Sequence, residues 1–381
     1  MTTWILECSG CGRNESSEAR VGLCPECGQP YLTVYTSEPP SRDALLPRWD
    51  MWRYSPVLPL RPAEQPVSLG EGLTPLIELP ALASRIGVRR LWIKDEGINP
   101  TASFKARGLS AAVTRARGSG ATGLVVPTAG NAGAALAAYA VAAGMRVRVV
   151  APASTPRAIL DTVRAVGAEL ELVDGHIGDA GKRSVAIASE PGWFNVATLR
   201  EPYRVEGNRT LGYELAEQLG WRVPDVVIYP TGGGEGTIGI WRALRDMRSW
   251  GWLPADTTMP RMIVAQAAGC APLVRAFHAG EQHATPWENP VTHASGLRVP
   301  GPLGDRLVLQ LLRESHGDAE AIDEEDIRNG TATLAAASGI DVCPEGGCAF
   351  AVARALAANG RIAADAEVVV YNTGSGASYR T

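Results

Sequence analysis

At 381 residues, with 45% hydrophobic and 20% charged residues, the chain is long enough for about two domains and too apolar for general disorder. Its 36 basic against 40 acidic residues leave a formal charge of −4, without the basic excess of proteins that bind nucleic acid or membrane surfaces. No run of about 18 apolar residues is present, and the opening MTTWILECSGCG lacks a basic segment followed by an apolar one. A cytoplasmic protein with neither nucleic acid nor membrane as partner is therefore expected.

Four of the seven cysteines, Cys8, Cys11, Cys24 and Cys27, form a C-x2-C-x12-C-x2-C pattern, with glycines beside them in ECSGCG and LCPECG. This is the knuckle spacing of a zinc ribbon, although reduced thiols without a metal would leave the same pattern. Four thiolates leave no open coordination position, so zinc there would be structural. The turn-rich SEPPSR closes this small module, which spans residues 1–45. Zinc ribbons also bind nucleic acids, which admits another class of protein: a ribbon-tethered binder whose remaining chain is an inactive fold. Arg13 and Arg20 are the module's only basic residues before position 41, too few to steer toward phosphates.

From about residue 121 the sequence alternates between short β-branched runs and longer helical patterns. TGLVVPT, AGAALAAYAVAAG, RVRVVAP, PRAILDTVRAVG, AELELVDG, GDAGKRSVAIASE and GWFNVAT follow one another. The pattern resumes with DVVIYPTGGG, a helix over 236–247, RMIVAQAAG, a helix over 346–359 and EVVVYNTGSG. Such alternation predicts βαβ units and parallel sheets. Two open, twisted α/β domains are expected after the module, one smaller over 109–205 and one larger over 46–108 and 206–381.

Ligands in open α/β sheets bind beyond the carboxyl ends of strands, where helices begin. Four turns stand there. In KDEGINPTASFKARG, Lys105 follows a Pro-Thr-Ala-Ser-Phe turn and starts a helix, where its amine either forms an imine or is a solvated charge. In PTGGGEG, Gly232, Gly233, Gly234, Glu235 and Gly236 open a helix with backbone N–H groups able to cradle a phosphate, or simply turn tightly. In TAGNAG, the Asn131 amide either bonds a ligand hydroxyl or caps its helix. In NTGSG, the Thr373 hydroxyl meets a ring nitrogen or ends a strand.

Together these turns resemble the fold-type II pyridoxal-phosphate enzymes, whose architecture is tryptophan synthase β-like, and among them the threonine synthases. The resemblance runs from about Trp49 to Gly376 and includes MWRYSPVLP, VSLGEGLTPL, the lysine segment, TAGNAG, LREPYRVEG, PTGGGEGTIGIWRA, VAQAAGCAPLVRAF, SGLRVP, CPEGG and NTGSG in that family's order. It implies that pyridoxal 5'-phosphate is joined to Lys105, that Asn131 bonds the cofactor's phenolic oxygen, that Gly232–Gly236 hold its phosphate and that Thr373 meets the pyridine nitrogen. A hydroxyl at that nitrogen, in place of a carboxylate, suits elimination over transamination. The resemblance places Ser103, Thr128 and Ala129 at the substrate carboxylate. It implies a homodimeric enzyme that eliminates phosphate from O-phosphohomoserine and adds water to give L-threonine, with Arg204 on the leaving phosphate and Arg200 and Arg209 as further candidates. A paralogue doing β-elimination or β-replacement on O-phosphoserine, serine or threonine, as cysteate synthases and threonine dehydratases do, would keep every cofactor residue. Four departures bear on the substrate: Ala102 stands where the family commonly has Gly, Asn208–Arg209 where paired lysines are frequent, Gly347 and Cys348 where small alanine-rich sequence is common, and GASYRT in place of the usual GLK continuation.

Overall fold

The computed structural model describes residues 3–155 and 157–380. Among the described residues, thirteen strands form three sheets. They are β1 (Trp4–Cys8), β2 (Asn14–Ser16), β3 (Tyr31–Tyr35), β4 (Leu76–Glu78), β5 (Arg90–Asp95), β6 (Gly123–Pro127), β7 (Arg146–Pro152), β8 (Glu169–Val173), β9 (Trp193–Asn195), β10 (Val226–Pro230), β11 (Arg261–Ala267), β12 (Asp318–Ile322) and β13 (Glu367–Asn372).

The first compact unit comprises the residues up to Leu73, Asn99–Thr210 and those from Ser378 onward. It holds an antiparallel sheet in the order β2-β1-β3 and a parallel sheet in the order β8-β7-β6-β9. β6 is buried along its apolar run, as a parallel strand covered on both faces must be, whereas no residue of the edge strand β8 is fully buried, and Glu169 and Leu172 are exposed. The helix Asn131–Ala142 is mostly alanine, and small side chains let it lie close to β7 and the helix Lys105–Gly118.

The second unit, Thr74–Ile98 with Leu211–Ala377, is built on a six-stranded sheet in the order β12-β11-β10-β13-β5-β4. All neighbours are parallel except β4, which pairs antiparallel with β5 at one edge. Central β10 and β13 are buried at every position, the burial expected of VVIYP and EVVVY. The helix Pro344–Ala358 packs its alanines and Phe350 on this sheet.

The observed units divide the chain differently from the expected domains. Residues 46–73 and 99–108 group with the smaller α/β sheet, because Trp52 donates to Ser110 Oγ at 2.9 Å and Ser110 to the Val67 carbonyl at 2.7 Å. The cysteine module belongs to that same unit, since its core of Trp4, Leu6, Cys8, Cys24 and Tyr31 is completed by Tyr203.

Candidate active site

The first unit carries the lysine turn. Asn99 anchors it: its Oδ1 accepts from Gly72 N–H at 3.1 Å and its carbonyl from Ala102 N–H at 2.7 Å. The chain then reverses through Ala102 at φ +56°, a left-handed conformation that glycine tolerates and alanine strains. Ser103 is buried, and its Oγ, like that of Thr101, has no hydrogen-bond partner among the described residues. Lys105 follows as the first residue of the helix Lys105–Gly118, half-buried, with Nζ 4.3 Å from the centre of the Phe104 ring.

The Asn131 turn lies at the carboxyl end of β6 in the same unit. Thr128 Oγ1 donates to the Gly130 carbonyl at 2.8 Å and accepts from Gly130 N–H at 3.0 Å, so this hydroxyl is spent on shaping the turn. Gly130 occupies the cap position and Asn131 the first helical one, so Asn131 is not the cap that its residue type suggested. Its half-buried amide makes no hydrogen bond to the described residues. Gly133 has to be glycine, because a Cβ there would meet Thr128 Cγ2 at 2.5 Å. Ala129, half-buried, has only backbone groups to offer a carboxylate.

The glycine loop belongs to the second unit, between β10 and the helix Glu235–Ser249. Gly234 caps that helix at φ +92°. A Cβ on Gly232 would lie 2.2 Å from the Gly296 carbonyl oxygen, and one on Gly236 would lie 2.2 Å from the Tyr229 hydroxyl. The N–H groups of Gly232, Gly233 and Gly234 donate to no described group, so a helix of fifteen residues presents open donors at its positive end. Glu235 is buried at the same end, so its contribution to an anion is its N–H. Gln266 braces the loop, donating to the Thr231 carbonyl at 3.0 Å.

Thr373, also in the second unit, is nearly buried after β13. Its hydroxyl lies 3.9 Å from the Cys343 thiol, which donates to Asn372 Oδ1 at 3.2 Å, and Asn372 Nδ2 donates to Asp95 Oδ1 at 2.8 Å. Burial raises both ends of this chain: Cys343 lies well above the usual thiol range, and Asp95 is shifted upward. The sequence reading missed Cys343 and Asn372. The available signal was a cysteine three positions before a helix read from Gly346 onward; it fills the cap place by accepting from Gly346 N–H at 3.3 Å.

The arginines lie deeper than expected for a surface phosphate site. Arg204 is 1% exposed and donates through Nη1 to the Val196 carbonyl at 2.8 Å. Arg209 pairs with Glu206 at 2.6 Å and stacks 5.0 Å from the Tyr35 ring, while Arg200 is half-buried. Asn208, singled out above only as a departure, is buried, and neither of its amide atoms has a partner among the described residues.

The thiols of Cys8, Cys11, Cys24 and Cys27 lie within 4.8 Å of one another, a spacing that could hold one structural zinc ion. Among the described residues, no helix is long and apolar enough to cross a membrane.

A family model described as "Pyridoxal-phosphate dependent enzyme" matches residues 67–374. The residues present fit that cofactor: the loop's open N–H donors suit a phosphate, the Asn131 amide, without a partner among the described residues, suits an oxygen, and Lys105 supplies a primary amine at a helix start. The chain is therefore a pyridoxal-phosphate dependent enzyme of fold type II. The threonine synthase of Methanosarcina acetivorans is 33% identical over 374 residues, covering 97% of this chain and 91% of that protein. That of Methanocaldococcus jannaschii is 32% identical over 378 residues, covering 98% and 92%. Within the class the chain belongs to the threonine synthase family, whose reaction is that of a lyase. Maize serine racemase shares the fold, with a TM-score of 0.69 at 22% identity over 80% of this chain and 88% of its own. A threonine deaminase from Solanum lycopersicum does so with a TM-score of 0.67 at 22% identity over 79% and 83%.

Proposed function

We propose that the protein is a threonine synthase: it eliminates phosphate from O-phosphohomoserine and adds water at Cβ to give L-threonine. The observation that carries this reading is the near full-length similarity to threonine synthases, cysteine module included. The site residues agree chemically. Lys105 is the lysine that joins the cofactor, the Gly232–Gly236 loop binds its phosphate, Asn131 bonds its phenolic oxygen and Thr373 meets its ring nitrogen. When bound, pyridoxal phosphate supplies an electron sink for the carbanions that form beside the amino group.

The chain's own residues then do the rest. Ser103 Oγ, buried without a partner, and the backbone at Thr128 and Ala129 bind the substrate carboxylate. Lys105 Nζ takes a proton from Cα and then one from Cβ, the Cγ–O bond breaks, and phosphate departs. Nζ returns one proton to Cγ, water adds its hydroxyl at Cβ while its other proton passes to the released phosphate, and Nζ returns the second proton to Cα. Thr373, a hydroxyl where a carboxylate would keep the ring nitrogen protonated, moderates the sink in favour of elimination. The role of Arg204 on the leaving phosphate rests on the resemblance alone, since its guanidinium is tied to Val196.

We read the enzyme as a cytoplasmic homodimer acting on a small amino acid, with neither nucleic acid nor membrane as partner. Incubation with O-phosphohomoserine, O-phosphoserine, serine and threonine, following phosphate, threonine and keto-acid release, tests the substrate. Equal release of phosphate and threonine from the first is expected. Keto acid from serine or threonine, with none of either product from O-phosphohomoserine, would replace this reading with a dehydratase.

A further inference from the structure

The cysteine module and the lysine helix meet on one buried guanidinium. Arg115 lies ten positions after Lys105 on the helix Lys105–Gly118, about 15 Å along its axis. It is 2% exposed, and its Cζ stands 5.1 Å from the ring centre of Trp4 on β1 and 5.1 Å from that of Tyr203. Its Nη1 pairs with Glu64, whose carboxylate occupies the space that a side chain on Gly118 would fill. Its Nη2 donates to the Ser17 carbonyl at 3.3 Å, which also accepts from the Tyr203 hydroxyl at 3.3 Å and from Arg61 at 3.4 Å.

The rings that clamp Arg115 belong to the module's core. Trp4 and Tyr203 pack with Leu6, Tyr31 and two of the four clustered cysteines, Cys8 and Cys24. Fewer than about 40 residues rarely fold on so small a core without a metal or another staple. Nor is the core complete within the module, since Tyr203 closes it from elsewhere in the unit. A second tie lies beside it: the Tyr35 hydroxyl at the end of β3 is 2.9 Å from the Glu206 carboxylate, which pairs with Arg209. Metal binding, folding of the module and coverage of Arg115 therefore belong to one cooperative event.

We propose that zinc held by Cys8, Cys11, Cys24 and Cys27 fixes the helix that begins with Lys105, and that Arg115 is the positioning residue that carries this coupling. The consequence for the cofactor rests on the assignment of Lys105 above. The coupling to the helix does not. Without metal the ring of Trp4 leaves the guanidinium, a buried charge loses half of its cover, and the helix loosens from its carboxyl end.

The test uses the full chain loaded with pyridoxal phosphate, in three forms: zinc-replete parent, the Cys11→Ser/Cys27→Ser variant purified without zinc, and zinc-replete Arg115→Gln. Hydrogen exchange of the helix amides, zinc content and the absorbance of lysine-bound cofactor are measured on each. Both altered forms should exchange about tenfold faster over residues 109–118, the factor that ~1.4 kcal/mol of local stability represents. β10 and β13 should keep the parent's protection, and cofactor should dissociate severalfold faster. Arg115→Lys should recover part of the protection, because it keeps the cation but not the planar stacking. If either altered form fails to fold, Trp4→Leu with zinc retained is measured in its place and should act in the same direction. Loss of protection confined to residues 3–36, or Arg115→Gln exchanging at the parent's rate, would overturn the proposal. A Lys105→Ala chain that still holds cofactor covalently would refute the lysine assignment and leave the exchange result standing, so the two failures are distinguishable.

Discussion

Ala102→Gly separates two explanations of the same departure. In the proposed reading, the methyl close to Lys105 in sequence tightens the substrate space; in the structure, the residue also sits at φ +56°, where an L side chain is strained by its Cβ. That conformation costs a non-glycine residue about 1–2 kcal/mol. Glycine would relieve the cost and lose about 0.4–1 kcal/mol through its greater freedom in the unfolded chain. The net expectation is a gain of about 0.5–1 kcal/mol, or roughly 1–2 °C in a chain of this size. The melting temperature of the cofactor-free protein is the measurement, because bound cofactor would add its own stabilisation. Ala186→Gly on the exposed face of the helix Ile177–Ala188 is the matched control and should lose about 1 kcal/mol. If Ala102→Gly loses stability as Ala186→Gly does, the strain reasoning is refuted. The substrate effect is read separately, as a change in KM for O-phosphohomoserine at unchanged cofactor affinity.

Gly232→Ala places a Cβ 2.2 Å from the Gly296 carbonyl, a backbone atom that cannot swing aside, so about 1–3 kcal/mol of overpacking should appear as a ten- to hundredfold weaker affinity for pyridoxal phosphate by equilibrium titration. Asn131→Ala should leave cofactor-free stability within about 0.5 kcal/mol, since the amide has no described partner, while kcat/KM falls about tenfold or more for one lost ligand hydrogen bond. Glu367 ties β13 to Arg222 and to the Trp92 N–H at 2.8 Å; burial opposes its charge, but these partners hold its pKa below the usual carboxylate value. A lowered folded pKa means stability present above the unfolded carboxylate pKa of about 4.3 and lost as pH falls through the folded value. Glu367→Gln should therefore be destabilised by about 1–3 kcal/mol at pH 7, with the gap to the parent closing below about pH 4 in denaturant titrations.

The alternation from Thr122 to Asn195, and the strands and helices named around Val226–Ala267 and Pro344–Asn372, were legible because β-branched runs and helical patterns alternate there between glycines and prolines. The helix expected over 236–247 begins with Glu235, and the one expected over 346–359 begins with Pro344 because Cys343 supplies the cap. What stayed hidden depends on pairing across long stretches of chain. β13 lies against β5 with Glu367 opposite Arg90, a partnership that no local pattern announces. β12, reading DAEAI, is too small and polar to look like a strand and exists because β11 gives it a ladder. The module's three strands were missed for the same reason, since WILEC and YLTVY are strands only when paired with each other. At the site, the residue types at turns were readable, but commitments of single atoms were not. Nothing in TAGNAG says that the Thr128 hydroxyl is spent on Gly130 while the Asn131 amide is left open.

The cofactor and the substrate are written into the chain in different ways. The cradle proposed for the phosphate is made of backbone: open N–H groups, a left-handed Gly234, and glycines whose missing Cβ atoms admit Gly296 and Tyr229. Backbone of this kind depends on few side chains, and the fold itself is shared with a racemase and a deaminase at 22% identity. In the proposed reading, substrate choice falls to single side chains with unfilled hydrogen-bonding capacity, and among the described residues of the lysine-bearing unit these include Ser103 and Asn208. Asn208 is the informative one, because an amide buried with both atoms unpartnered costs stability unless something occupies it. Exchanging Asn208 should therefore alter the preference among phosphorylated and unphosphorylated substrates more than it alters cofactor binding, and the ratio of their kcat/KM values is the quantity that separates the two.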